Sequence, residues 1–188
     1  MTRTDLGADL TVNVATLLGE PAGSIRDYAF DDLRLDLGPD IELARPADAR
    51  FRLTRTNRGL LVDGDVRATL AEICGRCLRP IEVELAETFE EEALPSVELA
   101  GGPAPDPTAE PDIARLTDHH EIELEPFLRE AILLGAPIAP LCRPDCPGLC
   151  PVCGIELGSG PHDHADEPVD PRFEALRGFR VDGDDETA

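Results

Sequence analysis

Six cysteines constrain this chain more than any other feature. Four fall in the run Leu141-Cys142-Arg143-Pro144-Asp145-Cys146-Pro147-Gly148-Leu149-Cys150-Pro151-Val152-Cys153-Gly154, and the other two form the pair Cys74-Gly75-Arg76-Cys77 far upstream. At two- and three-residue spacings, in a chain whose first residues open no secretion signal, cysteines point to metal rather than to disulfides. Thiolates suit zinc, which takes four ligands tetrahedrally and does no redox chemistry. Cys150-Pro-Val-Cys153-Gly154 has the form of a zinc knuckle: a tight turn presents two sulfurs to one ion, and the glycine lets backbone amides approach. Cys74-Gly-Arg-Cys77 is the same device with its glycine inside the pair.

Which four sulfurs share an ion is a question of chain entropy. A local set closes a shorter loop than one that reaches back to Cys74, but the logarithmic growth makes the difference only about 1.5–2 kcal/mol. A structural zinc contributes on the order of 10 kcal/mol, so that difference does not decide. The expectation is the local set Cys142, Cys146, Cys150 and Cys153. A ribbon pairing Cys74 and Cys77 with two of those four stays open, as does the plainer reading of free buried thiols or a redox pair.

The composition bounds the rest. One core fits within 188 residues, and with six Phe, one Tyr and no Trp it must be built from Leu, Val, Ile and Ala. No apolar run reaches the ~18–20 residues that span a bilayer, so a cytoplasmic protein without a membrane partner is expected. The net charge of −22 opposes nucleic acid being held by the surface as a whole and favours basic partners. Its distribution is uneven. Eight arginines between Arg45 and Arg79 face four acids there, a local +4, while the remaining nine arginines and thirty-five acids give −26. A basic face made by Arg50, Arg52, Arg55, Arg58, Arg67, Arg76 and Arg79 is therefore a candidate nucleic-acid contact, against the alternative of solvated strand faces.

Residues 9–18 read as a strand running into a turn of helix. Leu33, Leu35 and Leu37 alternate with polar residues and predict a strand stopped by Gly38-Pro39, and Ile41 and Leu43 start another. Phe51 and Leu53 alternate with arginines, and Thr56-Asn57-Arg58-Gly59 supplies turn chemistry before a long strand from Leu60 to Ile73. Its core face carries Val62, Val66, Ala68 and Leu70. After Cys77, a return strand opens at Pro80 with Ile81, Val83, Leu85 and Phe89 on one face, so the first cysteine pair sits at a hairpin tip. The stretch 93–121 is rich in Pro and acids and reads as a mobile linker. Glu125-Pro126 starts a helix whose apolar face is Phe127, Leu128, Ala131, Ile132 and Leu134, with Gly135 and Pro137 as stops. Pro171 opens a last short helix with Phe173, Leu176 and Phe179 on one face, and 181–188 is a disordered acidic tail. The fold expected is α+β: an antiparallel sheet over 1–92, for which barrel-like closure is one option. The segment 122–180, with a helix packed on that sheet and a C-terminal zinc-knuckle segment, belongs to the same domain.

The sequence offers little for catalysis. His119, His120, His162 and His164 lie in polar loop sequence and read as solvated, with His162 or His164 as a replacement zinc ligand the lesser alternative. The spacing of Cys146, Cys150 and Cys153 matches that of radical enzymes with an iron–sulfur cluster. The chain is too short for their barrel, and Cys142 supplies a fourth ligand. A four-thiolate zinc leaves no position for water and builds structure.

The motifs Cys74-Gly-Arg-Cys77-Leu78, Ile122-Glu-Leu-Glu-Pro-Phe-Leu-Arg-Glu-Ala-Ile-Leu-Leu-Gly-Ala-Pro137 and Pro140-Leu-Cys-Arg-Pro-Asp-Cys-Pro-Gly-Leu-Cys-Pro-Val-Cys-Gly154 resemble the YceD-like family of large ribosomal RNA subunit accumulation proteins, over roughly residues 10–180. The resemblance implies a non-enzymatic factor for accumulation or processing of large-subunit rRNA and assembly of that subunit. Implied partners are the rRNA, a pre-ribosomal particle, or a basic large-subunit ribosomal protein. From another class, a thiol–disulfide enzyme using Cys74 and Cys77, or a metal-dependent nuclease, is the alternative.

Overall fold

The computed structural model describes residues 2–3, 10–39, 41–96, 113–160, 164 and 172–173. The chain divides into two compact units, residues 1–146 and 147–188, so the boundary at Pro147 falls inside the segment 122–180.

The first unit is mostly sheet. In chain order it contains β1 (Thr2–Arg3), β2 (Thr11–Asn13), the single turn α1 (Ala15–Leu18), β3 (Ile25–Leu33), β4 (Glu42–Arg55), β5 (Leu60–Ile73), β6 (Pro80–Leu94), β7 (Ala114–Arg115), β8 (Glu121–Glu123) and the helix α2 (Glu125–Gly135). Six strands form one sheet in the order β1-β3-β4-β5-β6-β7, and β2 pairs with β8 in a second, two-stranded sheet. The inner four strands are antiparallel, while β1 and β7 join the edges in parallel. The sheet is α+β in kind but open, which corrects the barrel option. Closure needs the two edges to pair with each other. Among the described residues the edges carry two-residue strands, which pair with β3 and β6 and not with each other.

Alternation dictates which side of the sheet is buried. Along β5, Leu60, Val62, Val66, Ala68 and Leu70 are buried, and fourteen unbroken pairs join β5 to β6, from Leu60 opposite Ala93 to Ile73 opposite Pro80. A slip of one residue would turn that apolar set outward, which rules out the odd registers. Four phenylalanines cross this face in a chain of ring contacts. Phe30 meets Phe51 at 5.8 Å, Phe51 meets Phe89 at 5.6 Å, and Phe89 stacks on Phe127 of α2 at 6.2 Å. Gly64, between Phe51 and Phe89 in the register, makes room for this row: a Cβ there would stand 2.2 Å from the Phe89 ring.

Helix α2 closes the core by burying Phe127, Leu128, Ala131 and Ile132. Leu134, expected on the same face, is 79% exposed, because it falls in the last turn, beyond the sheet-facing stripe. Two further expectations shift. The strand read over Leu33–Leu37 lies upstream as β3, which ends at Leu33 after an irregularity at Asp32 (φ 59°), yet Leu33 and Leu37 are still buried. The strand expected to begin at Ile41 and Leu43 runs on without a break into that of Phe51 and Leu53 as β4, with register shifts around Arg45.

Of the stretch 93–121, residues 93–94 end β6, 114–115 pair beside them, and Leu116 is buried; 97–112 lie outside the described residues. The helix expected after Pro171 lies outside them except for Arg172 and Phe173, as does the tail 181–188.

Candidate metal centre

The β5–β6 hairpin ends in the turn Cys74–Arg79. The amide of Leu78 donates to Cys74 O (2.9 Å), the amide of Cys74 donates to Arg79 O (2.9 Å), and Leu78 takes φ 56°. This curl directs both sulfurs to one side. The segment after α2 comes to the same place, with the Gly75 amide donating to Pro140 O at 2.8 Å. Arg76 reaches over to donate from Nη1 to Cys146 O at 2.9 Å.

The result is a cluster of four sulfurs. Those of Cys74, Cys77, Cys142 and Cys146 all lie within 4.8 Å of one another. Cys74 Sγ stands 3.9 Å from Cys146 Sγ, and Cys77 Sγ stands 3.7 Å from Cys142 Sγ. A tetrahedral ion with metal–sulfur bonds of about 2.3 Å sets its ligand sulfurs roughly 3.8 Å apart, so the spacing fits such a centre. Cys74, Cys77 and Cys146 are buried and Cys142 is half-buried, and all are free thiols.

Protonation in the cluster is uneven. The backbone amides of Cys77 and then Cys142 favour the Cys74 thiolate and bring its pKa down to about 6, against burial. Cys142 is pushed up to about 12, first by the neighbouring Cys146 sulfur and then by burial. The Arg79 amide favours the Cys77 thiolate, but burial and the Cys74 and Cys146 sulfurs together leave its pKa raised. Sulfurs this close resist becoming charged together, and a divalent cation among them reverses that balance.

The grouping corrects the local set expected from sequence. Cys142 and Cys146 join Cys74 and Cys77, while Cys150 and Cys153 gather with His164, whose Nε2 lies 3.2 Å from Cys150 Sγ. Sequence distance is a weak guide here because the β5–β6 hairpin carries Cys74 and Cys77 at its tip and the segment after α2 brings Cys142 and Cys146 to the same place. His164, read first as solvated, is thus a candidate ligand; the only sequence signal was its place shortly after the knuckle. His162 lies outside the described residues. His119 is exposed and His120 half-buried in the turn before β8, and neither gathers with other donors among the described residues.

The arginines are distributed differently. Arg52 Nε donates to Asp27 Oδ1 at 2.8 Å across β3 and β4, and Arg58 lies 3.8 Å from Glu92. Arg55 is tied to backbone, donating to Leu18 O and Gly59 O, both at 3.1 Å. Arg50 and Arg67 are exposed but stand opposite Asp65 and Asp48 in the register. Arg76 serves the sulfur cluster, and Arg79 is exposed at the hairpin tip. An open groove of about 850 Å³ over the sheet is lined by Arg50 and Arg52 together with four carboxylates, Asp27, Asp63, Asp65 and Glu90.

The fold and clusters together define a mostly-sheet α+β protein with convergent thiols of metal-binding type. Residues 62–180 match the family described as Large ribosomal RNA subunit accumulation protein YceD, and this chain belongs to that family. Uncharacterized proteins of Mycobacterium tuberculosis and Mycobacterium bovis are each 35% identical over 179 residues, spanning 91% of this chain and 81% of theirs. A relative from Mycobacterium leprae, also uncharacterized, is 32% identical over 138 residues, 72% of this chain and 60% of its own. No solved structure matches. No helix among the described residues is long and apolar enough to cross a membrane.

Proposed function

We propose that this chain is a non-enzymatic factor for accumulation of large-subunit rRNA and assembly of that subunit, acting by binding in the cytoplasm and stabilised by zinc on Cys74, Cys77, Cys142 and Cys146. The observation that carries the reading is the family match across both cysteine motifs, joined to four sulfurs spaced for one tetrahedral ion. Zinc fits an all-sulfur, four-donor set better than the oxygen-seeking divalent ions do. When bound, the ion would link the hairpin tip to the chain after α2; with four protein donors it has no position for substrate.

The partner favoured is a basic protein segment on the precursor particle. The outward face of β6 presents Glu84 and Glu90, both exposed, beside Glu82, which pairs with Arg45, on a chain of net charge −22. Contact with rRNA through the arginine face is the second reading, carried by the exposure of Arg50, Arg67 and Arg79. Against it stand the carboxylates that pair with or oppose most of those arginines, since each phosphate contact would first have to displace a local partner. Thiol–disulfide exchange is weaker still: it needs one reactive pair, and here four sulfurs share one point.

The test is co-sedimentation of the purified protein with large-subunit precursors, followed by crosslink mapping. Crosslinks to a ribosomal protein from residues of β6 support the reading. Failure to sediment with any precursor, together with unchanged rRNA levels in cells lacking the protein, overturns it.

A further inference from the structure

We propose that residues 147–188 carry a second metal site of their own, formed by Cys150, Cys153 and His164, so that one chain takes two zinc-class ions. The proposal does not rest on the four-sulfur site.

The donors converge: Cys150 Sγ, Cys153 Sγ and a ring nitrogen of His164 lie within 4.8 Å of one another, and Cys150 Sγ is 3.2 Å from His164 Nε2. Zinc–sulfur and zinc–nitrogen bonds of about 2.3 and 2.05 Å would set that pair roughly 3.6 Å apart, a few tenths of an ångström beyond the spacing found. The backbone around them is built as a knuckle. Leu149 bridges to Glu156, the Cys150 amide donates to Ile155 O at 2.8 Å, and the Gly154 amide donates to Cys150 O at 2.9 Å. Gly154 takes φ 71°, which a side chain would strain, and this left-handed step turns the chain back just after the second sulfur.

The stronger argument is what else could hold this hairpin. Within 147–160 the large apolar side chains Val152, Ile155 and Leu157 are 56%, 52% and 42% exposed, and Cys150 is the one buried side chain among the described residues. A two-stranded turn with no apolar core of its own is at best marginal in water. Small units of this kind are held by disulfides or by metal, and no disulfide joins Cys150 and Cys153. Two sulfurs and one imidazole nitrogen select zinc or a similar borderline ion over calcium or magnesium, which seek oxygen.

Zinc per chain, measured on the full-length protein exchanged into metal-free buffer after loading, tests this. Wild type is expected to hold two equivalents. His164→Ala and the pair Cys150→Ser/Cys153→Ser should each hold one, and His164→Cys should restore the second. Cobalt(II) gives a second readout. The Cys74→Ser/Cys77→Ser variant should show the weaker thiolate charge-transfer band of a mixed sulfur–nitrogen site, and the Cys150→Ser/Cys153→Ser variant the stronger band of four sulfurs. Should His164→Ala and Cys150→Ser/Cys153→Ser retain all the zinc of wild type, the second site does not exist, whatever the first one does. Should wild type hold a single ion that Cys150→Ser/Cys153→Ser and His164→Ala both lose and Cys74→Ser/Cys77→Ser keeps, the four-sulfur site falls and the second stands.

Discussion

Cys77 Sγ and Cys142 Sγ lie 3.7 Å apart although 65 residues separate them in the chain. The contact closes a ring that contains β6, β7, β8 and α2, and so couples the hairpin tip to the far end of the helix. Any ion held there ties the sheet to the chain beyond α2.

Cys77→Ser and Cys142→Ser should each remove one equivalent of zinc and destabilise the first unit by more than about 4 kcal/mol, the range in which loss of a metal stands out from ordinary substitutions. Urea unfolding with and without chelator checks this. A mutant as stable as wild type in the presence of zinc would leave the cluster with no structural role.

The metal-free protein should show an unusual thiol titration. Cys74, brought down to about 6, binds its proton less readily than an unfolded cysteine near 8.5–9. It therefore contributes stability that is fully present above the unfolded value and is lost as pH falls toward 6. Cys142, pushed up to about 12, acts oppositely, opposing the folded state as pH rises past the unfolded value. Thiolate ultraviolet absorbance, wild type minus Cys74→Ser, should rise with a midpoint near pH 6; a midpoint above 8 would contradict the amide-stabilised thiolate.

Gly64→Ala places a methyl group against the Phe89 ring, where a Cβ has 2.2 Å. Overpacking of this kind costs about 1–3 kcal/mol. Combining it with Phe89→Leu should recover part of that loss relative to the sum of the two single changes, because the second opens the space the first needs. Additive losses would mean that the ring and the glycine do not meet.

Along α2, Leu128→Ala should cost about 2–5 kcal/mol, since Leu128 is fully buried. Leu134→Ala should stay within about 0.5 kcal/mol, since that side chain is exposed. Comparable losses at both positions in denaturant midpoints would place Leu134 in the core after all.

The two partner readings separate by charge reversal. Glu84→Lys with Glu90→Lys should weaken binding to large-subunit precursors at least tenfold, whereas Arg50→Glu should change it less than about twofold. The opposite ranking, with binding that falls steeply as salt rises, would move the contact to rRNA.

What the sequence by itself determined is local. Alternation along 60–73 and from Ile81 to Phe89 set the two strands of the hairpin and its buried side, because a pleat assigns faces by residue parity. Pro126 and Gly135 bracketed the helix, and the paired cysteines announced convergent sulfurs. Tertiary structure alone decided which sulfurs meet. The entropy of closing a loop grows only logarithmically, so nearness in sequence barely favours one set of four over another, and a folded hairpin delivers Cys74 and Cys77 to Cys142 and Cys146 at little further cost. The same holds for Leu134 and for the arginines. Periodicity ranks what can face a core and composition ranks what can face a phosphate, but where the sheet ends and which carboxylates lie across the strand depend on pairing between distant segments.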